Sequence, residues 1–140
     1  MSLMISLRNK SRLFALVLLC ALTSITSHAE DEAAATAAYI ELKPNFVVNH
    51  LGSDGQLKYI KTSISIRTDT NSKDLIEANM PLVRDAIVMF LSSRTTEQVT
   101  GAIAREKTRE EAAIAVNDAL QEETNLSPVK DILFASFVTQ

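Results

Sequence analysis

The sequence is poor in the residues that mark several large protein classes. Its 140 residues include three glycines, three prolines, two histidines and one cysteine, and it has no tryptophan. So few glycines and prolines exclude a collagen-like protein and a Pro/Gly-rich linker protein. A single cysteine excludes an internal disulfide and a zinc site built from several cysteines. Two histidines leave little for a histidine metal site, so we expect no metal and no other cofactor.

The charge balance argues against nucleic acid as a partner. The chain has 14 basic and 17 acidic residues, which gives a formal net charge of -3. Proteins that bind nucleic acid usually carry a basic face, and here the basic residues do not cluster with the few aromatic ones. Apolar residues make up 46% and charged residues 22% of the chain. This composition is typical of a small, acidic globular domain.

Residues 1–29 have the pattern of a secretory signal peptide. A basic start without acids is followed by an apolar run over residues 13–22 and by a small-x-small cleavage site at residues 27–29. Even extended over residues 13–25, the run would span only about 20 Å as a helix, whereas the hydrocarbon core of a bilayer is about 30 Å thick. The sequence therefore predicts cleavage after Ala29, and retention of the segment as a short membrane anchor is the alternative.

Removal of residues 1–29 leaves 111 residues with a net charge of -6 and no cysteine. The absence of a thiol suits an oxidising compartment, because nothing is left to mispair. Residues 30–38 are acidic and then alanine-rich, without apolar periodicity, so we predict a flexible linker there. Residues 39–140 are enough for one domain with one core.

From Tyr39 the pattern is typical of strands. A short apolar strand is predicted at Phe46–Val48, with Pro44 at its start or on a sheet edge, because proline lacks a donor N–H. Asn49–Gln56 has the composition of a turn, and Asp54-Gly55 can take the positive φ angles of a hairpin. Leu57–Asp69 alternates between two faces, of which one is expected to be buried. The residues on that face are Ile60, Thr62, Ile64 and Ile66.

The period then changes to that of helices. Apolar residues that recur every three or four positions predict a helix from about Asn71, as its N-cap, to Ser92. Pro81 should either kink this helix or begin a second segment. Thr95 and Gln98 resemble a capping box that opens a short helical turn. A further helix is predicted over Arg105–Glu123, with an apolar stripe of Ala113, Ile114, Val116 and Leu120.

Residues 129–140 are apolar on both faces, which predicts a central strand buried on both sides. In a regular strand Phe134 and Phe137 would point to opposite faces. The resulting order is strand, strand, helices, strand. We therefore predict an α+β fold, in which a hairpin and a C-terminal strand form a small antiparallel sheet packed against two longer helices.

A search for catalytic constellations finds none, so we predict that the protein is not an enzyme. His50 is the histidine of residues 30–140, and its place in the predicted turn favours a solvated residue. No nucleophile elbow and no glycine-rich phosphate loop occurs in the sequence. Neighbouring acids such as Glu110 and Glu111 point about 100° apart on a helix, which favours a solvated face over a ligand pair.

The polar face of the long strand is a candidate contact surface. Tyr59, Lys61 and Arg67 lie on this face, with Ser63 and Ser65 between them. Tyr59 offers apolar area, and the two cations offer charge to an acidic neighbour. The alternative is an ordinary solvated sheet face.

Several segments taken together point to a family. They are residues 42–49 (LKPNFVVN), 57–66 (LKYIKTSISI), 81–92 (PLVRDAIVMFLS), 106–110 (EKTRE) and 129–140 (VKDILFASFVTQ). The last is the most specific, because it ends in Phe-x-x-Phe-Val-x-Gln. In this order, over residues 39–140, they resemble the periplasmic domain of the FliL family of flagellar basal-body-associated proteins.

The resemblance implies a domain similar to those of stomatins and prohibitins, and a protein without enzymatic activity. It implies a homo-oligomeric ring that surrounds or contacts the stator units of the flagellar motor and modulates rotation and swimming. The implied place is the periplasm, at the inner membrane and basal body, with direct membrane association if residues 1–29 are retained. Most members keep a transmembrane helix where this chain has a signal-like segment. The alternative function is therefore a free periplasmic adaptor or binding domain with no motor role.

Overall fold

The computed structural model describes residues 36–140, which form a three-stranded antiparallel sheet with helices on one of its faces. Strand β1 (Ala37–Leu51) pairs with β2 (Leu57–Asp69), and β2 pairs with β3 (Asp131–Thr139). A 3₁₀ turn (Thr70–Ser72) and four helices connect β2 to β3. The helices are α1 (Lys73–Ala78), α2 (Met80–Ser92), α3 (Thr96–Val99) and α4 (Ala102–Thr124).

The predicted fold class is confirmed, because a small antiparallel sheet packs against two longer helices, α2 and α4. The predicted signal peptide at residues 1–29 and residues 30–35 of the predicted linker lie outside the described residues. The last two apolar residues assigned to that linker, Ala37 and Ala38, already belong to β1.

The β1–β2 hairpin turns over a shorter segment than the sequence predicted. β2 has the predicted bounds, whereas β1 continues through Asn49 to Leu51. Gly55 takes a φ of 74°, and the Gln56 N–H donates to Asp54 Oδ1 at 3.1 Å. Asp54 itself keeps a negative φ, so Gly55 alone supplies the left-handed conformation of this turn.

Pro44 lies within β1 at a bulge. Leu42 pairs with Ile64 and Phe46 with Thr62, so three residues of β1 stand opposite Ser63 alone. The missing N–H of proline is tolerated because β1 is an edge strand and the ladder is interrupted there. The predicted edge position of Pro44 is thereby confirmed.

Two predictions about the final strand are wrong. β3 is an edge strand, and the central strand is β2. Ser63 pairs with Ser136 and Ile64 with Phe134, so β3 contains one extra residue, Ala135. A bulge of one residue resets the alternation of side chains, and Phe134 and Phe137 consequently lie on the same face. Their ring centroids are 4.9 Å apart in an edge-to-face arrangement, and both rings are half-buried.

The helical region after β2 is divided at Asn79. Pro81 lies in the first turn of α2, where its missing N–H has no intrahelical partner to lose. This outcome matches the predicted second segment rather than a kink. The prediction that Asn71 is the N-cap is wrong, because Asn71 lies inside the 3₁₀ turn that precedes α1. The capping box of α3 is confirmed, since the Thr95 N–H donates to Gln98 Oε1 at 2.9 Å.

The buried stripe of α4 differs from the predicted one. It steps by four through Thr108, Ala112, Val116 and Leu120, all at most 2% exposed. Ile114 lies two residues from both Ala112 and Val116, which is about 200° around the helix, and it is 59% exposed. The predicted burial of Ile114 is therefore wrong, and the polar Thr108 takes a core position instead, with its hydroxyl donating to Gln98 O at 2.7 Å.

The core lies between the sheet and the helices. From β2 it receives the alternate residues that the sequence predicted, Ile60, Thr62, Ile64 and Ile66, each at most 1% exposed. The helices contribute the buried residues Ile76, Val83, Ile87, Leu91, Val99, Ala112, Val116 and Leu120. Because all of these helices pack on one face of the sheet, no helix of residues 36–140 covers its other face.

Candidate protein-contact face

We call the side of the sheet that points away from the helices the open face. Its residues occupy the odd-numbered positions of β1 and β2, which alternate with the buried positions. All three residues predicted from the sequence, Tyr59, Lys61 and Arg67, lie on this face. It also carries the exposed apolar side chains of Tyr39, Val47, Leu51, Leu57 and Val138.

The apolar side chains of the open face are strongly exposed. Val47 is 65%, Leu57 72% and Tyr39 59% exposed. The register places Lys61 between Val47 and Val138, and it places Arg67 beside Tyr39. Each predicted cation therefore has an apolar neighbour on the adjacent strand. Val47, Leu51, Leu57 and Val138 lie toward the hairpin end of the sheet, whereas Tyr39 lies toward its other end, beyond Ser63 and Ser65. An exposed apolar patch rimmed by polar groups, as at the hairpin end, is typical of a surface that binds another molecule.

Charge on the open face is unevenly compensated. Its carboxylates are ion-paired: Glu41 with Lys43 at 3.2 Å, Asp69 with Lys130 at 3.2 Å, and Asp131 with Arg109. Lys61 and Arg67, in contrast, have no ion pair with any residue of 36–140. Lys61 thus has no carboxylate opposite it in the register, whereas Arg67 lies opposite Asp131, which is itself paired with Arg109.

Tyr59 is 36% exposed. Its backbone pairs with Gln140 through two hydrogen bonds of 3.0 Å, and its hydroxyl donates to Gln140 Oε1. The hydroxyl is therefore already engaged, and Tyr59 can offer a partner mainly its ring. Lys61 and Arg67 are exposed and have no ion pair with a residue of 36–140, so they are the better candidates for electrostatic contact.

His50 does not lie where the sequence analysis expected it. It belongs to β1 rather than to a solvated turn, and it is only 2% exposed. Side chains alternate between the two sides of a strand, and His50 lies on the buried side together with Phe46 and Val48. Neither ring nitrogen has a hydrogen-bond partner among the described residues. No carboxylate of residues 36–140 is hydrogen-bonded to the ring.

An ion cluster that the sequence analysis did not single out holds the start of β3 against α4. Arg109 contacts both Glu106 and Asp131. Hydrogen bonding to Glu106 and the charge of Asp131 raise the pKa of Arg109, and hydrogen bonding to Arg109 lowers the pKa of Glu106. The spacing of Glu106 and Arg109 is visible in the sequence, whereas Asp131 joins them only through the fold.

Arg84 fixes the bulge of β1 from the helical side. Its Nη2 donates to Pro44 O at 2.9 Å, and its guanidinium carbon lies 4.2 Å from the centroid of the Phe46 ring. This contact combines a hydrogen bond with a cation–π interaction. Arg84 thus sets the shape of the edge of the open face without lying on it.

Residues 36–140 contain no group of three or more His, Cys, Asp or Glu side chains that could hold a metal ion. None of their helices is long and apolar enough to cross a membrane. The arrangement that does stand out is an open sheet face with exposed cations and exposed apolar side chains, and its role as a protein-contact surface stays a prediction.

The fold and this face define an α+β domain built around a one-sided antiparallel sheet. Residues 39–140 match the family described as "Flagellar basal body-associated protein FliL". A flagellar protein FliL of Aquifex aeolicus (strain VF5) is 29% identical over 102 residues, which cover 71% of this chain and 60% of that relative. The chain belongs to the FliL family, and it spans about 60% of the length of this relative.

Proposed function

We propose that this chain acts in the periplasm at the flagellar basal body as a docking protein. It contacts the periplasmic part of stator units and further copies of itself, and in this way it modulates flagellar rotation and swimming. The observation that carries the proposal is the open face, which carries six exposed apolar side chains together with the exposed cations Lys61 and Arg67. Family membership supports the placement at the basal body.

The physical basis is the summation of weak contacts. An exposed ion pair contributes about 0.2–1 kcal/mol, so two cations alone give a modest attraction. In a closed ring each subunit is held from two sides, and the linked contacts reinforce one another. A face with two cations and moderate apolar area therefore suffices for assembly, while a single contact stays reversible.

Placement in the periplasm rests on export and on cleavage after Ala29. The test is the intact mass of the protein recovered from the periplasmic fraction. A mass that corresponds to residues 30–140 supports the proposal. Recovery of the full-length chain in the inner membrane would establish the anchored alternative instead.

The motor role is tested by swimming of a strain in which the chain has been deleted. We expect reduced swimming, most clearly under high load, and normal growth, because no substrate turns over. Complementation with the wild type should restore swimming, whereas the Lys61→Glu, Arg67→Glu variant should restore it only in part. The control for Lys61→Glu alone is Lys73→Glu on α1, which reverses one lysine on the helical side of the domain.

The outcomes separate the two functions. Normal swimming of the deletion strain at low and high load would remove the motor role and leave the free periplasmic adaptor. A deletion defect that the doubly charge-reversed variant fully rescues would keep the motor role and discard the open face as its contact.

A further inference from the structure

We infer that Asn125 is an acceptor site for an N-linked oligosaccharide, attached to its side-chain nitrogen once the chain is exported. Residues 123–127 read Glu-Thr-Asn-Leu-Ser. An asparagine followed two residues later by serine or threonine, with a residue other than proline between them, is the acceptor signal for N-glycosylation. The acid two residues before the asparagine, Glu123, completes the longer form of this signal that bacterial oligosaccharyltransferases select. The inference goes beyond the docking role and shares with it only the premise of export.

The signal is specific within the chain. Among the asparagines of residues 30–140, only Asn125 has a hydroxyl residue two positions later. One further match, Asn9 with Ser11, lies in the predicted signal peptide and has Leu7 where the acid should stand. The sequence therefore offers one complete site in the part of the chain that is predicted to remain after cleavage.

The connection between α4 and β3 divides into an exposed half and an anchored half. Residues 125–127 are all exposed. Pro128 and Val129 are buried directly after them, where Pro128 O accepts a hydrogen bond from Thr68 Oγ1 at 2.7 Å and the Val129 N–H donates to Asn117 Oδ1 at 2.9 Å. The acceptor asparagine and the hydroxyl residue thus lie in the accessible half, as an acceptor in a surface loop requires.

The end of α4 uses the backbone of Asn125 and leaves its side chain unused. Asn125 takes a φ of 58°, and its N–H donates to Gln121 O at 3.0 Å, which closes the helix with a left-handed residue. Its carboxamide makes no hydrogen bond to another residue of 36–140. Glycine would serve the same cap. Capping therefore explains a left-handed residue at this position but requires neither Glu123 nor Ser127.

The two flanking groups of the signal are accessible as well. Glu123 is exposed and has no ion pair with a residue of 36–140. Ser127 Oγ lies 3.0 Å from Gln121 Oε1, in an exposed hydrogen bond. Such a bond is readily exchanged for one to water or to an enzyme, because the exchange leaves no polar group unpaired. An enzyme can therefore reach the acid, the amide and the hydroxyl without opening the core.

The reaction transfers the oligosaccharide from a lipid pyrophosphate carrier. Nδ2 of Asn125 forms a bond to the anomeric carbon of the first sugar, while the bond from that carbon to the pyrophosphate oxygen breaks. The electron pair of the broken bond leaves with the lipid pyrophosphate, and one proton of Nδ2 passes to a base. The transfer involves no oxidation or reduction. This chain supplies only the acceptor, and the cell supplies the oligosaccharyltransferase and the lipid-linked oligosaccharide.

An oligosaccharide at Asn125 would lie away from the hairpin end of the open face. The connection enters β3 where the Lys130 N–H donates to Arg67 O at 2.9 Å. Arg67 is six residues from Lys61 on β2, which is about 20 Å along a strand. The exposed Val47 and Val138 lie beside Lys61. Modification thus leaves the hairpin end of the open face accessible, and the two properties can succeed or fail independently.

The test is the intact mass of the full chain expressed in a bacterium that has a periplasmic oligosaccharyltransferase and its lipid-linked oligosaccharide. The same strain without the transferase is the reference. Protein from the periplasmic and membrane fractions should gain the mass of one oligosaccharide in the first strain alone, and fragment masses should place it on Asn125. Asn125→Gly, which keeps the left-handed cap, should lose the added mass completely.

Two matched pairs of variants test the flanking groups. Ser127→Ala should lose the added mass, whereas Ser127→Thr, which keeps the hydroxyl, should retain it. Glu123→Gln should lose most of the modified fraction. Glu122→Gln makes the same change one residue earlier and should be modified like the wild type.

The outcomes separate this site from the proposed function. An exported chain without added mass, addition at another residue, equal modification of Glu123→Gln and Glu122→Gln, or a chain retained in the cytoplasm would each overturn the inference. If the chain is modified at Asn125 and the deletion strain swims normally, the site stands and the motor role fails. If the deletion strain swims poorly and the exported chain carries no oligosaccharide, the motor role stands and the site fails.

Discussion

The two faces of β2 differ in almost every physical respect although they alternate along one strand. On the covered face Ile60, Ile64 and Ile66 are at most 1% exposed and pack against the helices. On the open face Lys61 and Arg67 are exposed and carry charges without partners among the described residues. Burial of apolar area stabilises by about 25 cal/mol per Å², so stability resides on the first face. Residues of the open face bury little apolar area, so they can be exchanged or engaged in contact with little effect on stability.

Polar residues sharpen the comparison. On the covered face, Thr62 Oγ1 donates to Ser136 O at 2.6 Å and Thr68 Oγ1 donates to Pro128 O at 2.7 Å. Buried hydroxyls need such partners, because an unpaired polar group inside a protein is costly. The open face has no such requirement, since water satisfies Lys61 and Arg67 until a partner replaces it. An interface there can form and separate without disturbing the core.

The largest expected effect is a contrast between one residue from each face. Ile64→Ala should lower the free energy of unfolding by about 2–5 kcal/mol, because it leaves a cavity in a fully buried site. Val47→Ala, which shortens an exposed side chain, should change it by less than about 0.5 kcal/mol. Urea unfolding followed by circular dichroism measures both. Similar losses for the two variants would mean that the open face is covered in the isolated protein.

The next effect concerns the two phenylalanines of β3. Because both rings are only half-buried, Phe134→Ala and Phe137→Ala should each cost about 2 kcal/mol, below the usual 3–5 kcal/mol for a core phenylalanine. Their edge-to-face contact should add a coupling of about 0.5–1.5 kcal/mol in a double-mutant cycle. A coupling of zero would contradict their placement on one face, which follows from the bulge at Ala135.

The contrast between predicted and observed features has a consistent cause. Strict alternation located β2 to the residue, and proline and capping chemistry located the starts of α2 and α3, because these signals are local. The position of β3 at the edge and the bulge at Ala135 depend on pairing with β2, which the sequence of β3 does not encode by itself. Apolar character likewise misassigned Ile114, because it does not show whether a helix turns a residue inward.

The candidate contact face divides in the same way. Tyr59, Lys61 and Arg67 were predictable, since alternation alone assigns them to one side of β2. The neighbours that complete the surface were not, because Val47 and Val138 reach Lys61 only through the register of three strands. His50 was mispredicted for the opposite reason. Its turn-forming neighbours suggested a solvated turn, although its even-numbered position in β1 places it on the buried side.

A smaller effect is expected at the ion cluster that joins α4 to β3. Arg109→Gln should lower the free energy of unfolding by about 1 kcal/mol, since it leaves the partly buried Asp131 without its partner.

The pKa of Glu106 is lowered by Arg109 from its usual value near 4.5. The contribution of Glu106 is therefore complete above about pH 4.5 and is lost as the pH falls through the folded-state pKa. Thermal melts between about pH 6 and pH 3 should lose stability less steeply in Glu106→Gln than in the wild type; parallel curves would contradict the coupling.

The smallest expected effect on stability is at the open face itself. Reversing Lys61 and Arg67 to glutamate removes no ion pair with a described residue and opens no cavity, so the free energy of unfolding should change by less than about 0.5 kcal/mol.

The two single variants should differ from each other. Arg67 lies opposite Asp131, so Arg67→Glu adds a weak repulsion there, whereas Lys61→Glu adds none across its register partners Val47 and Val138. Urea melts of the two single variants at low and high salt measure this difference. The Arg67 variant should be the less stable at low salt and should recover as salt screens the repulsion. A loss above about 1 kcal/mol for Lys61→Glu would contradict the division between the faces, because it would show that this side chain already contributes to the fold.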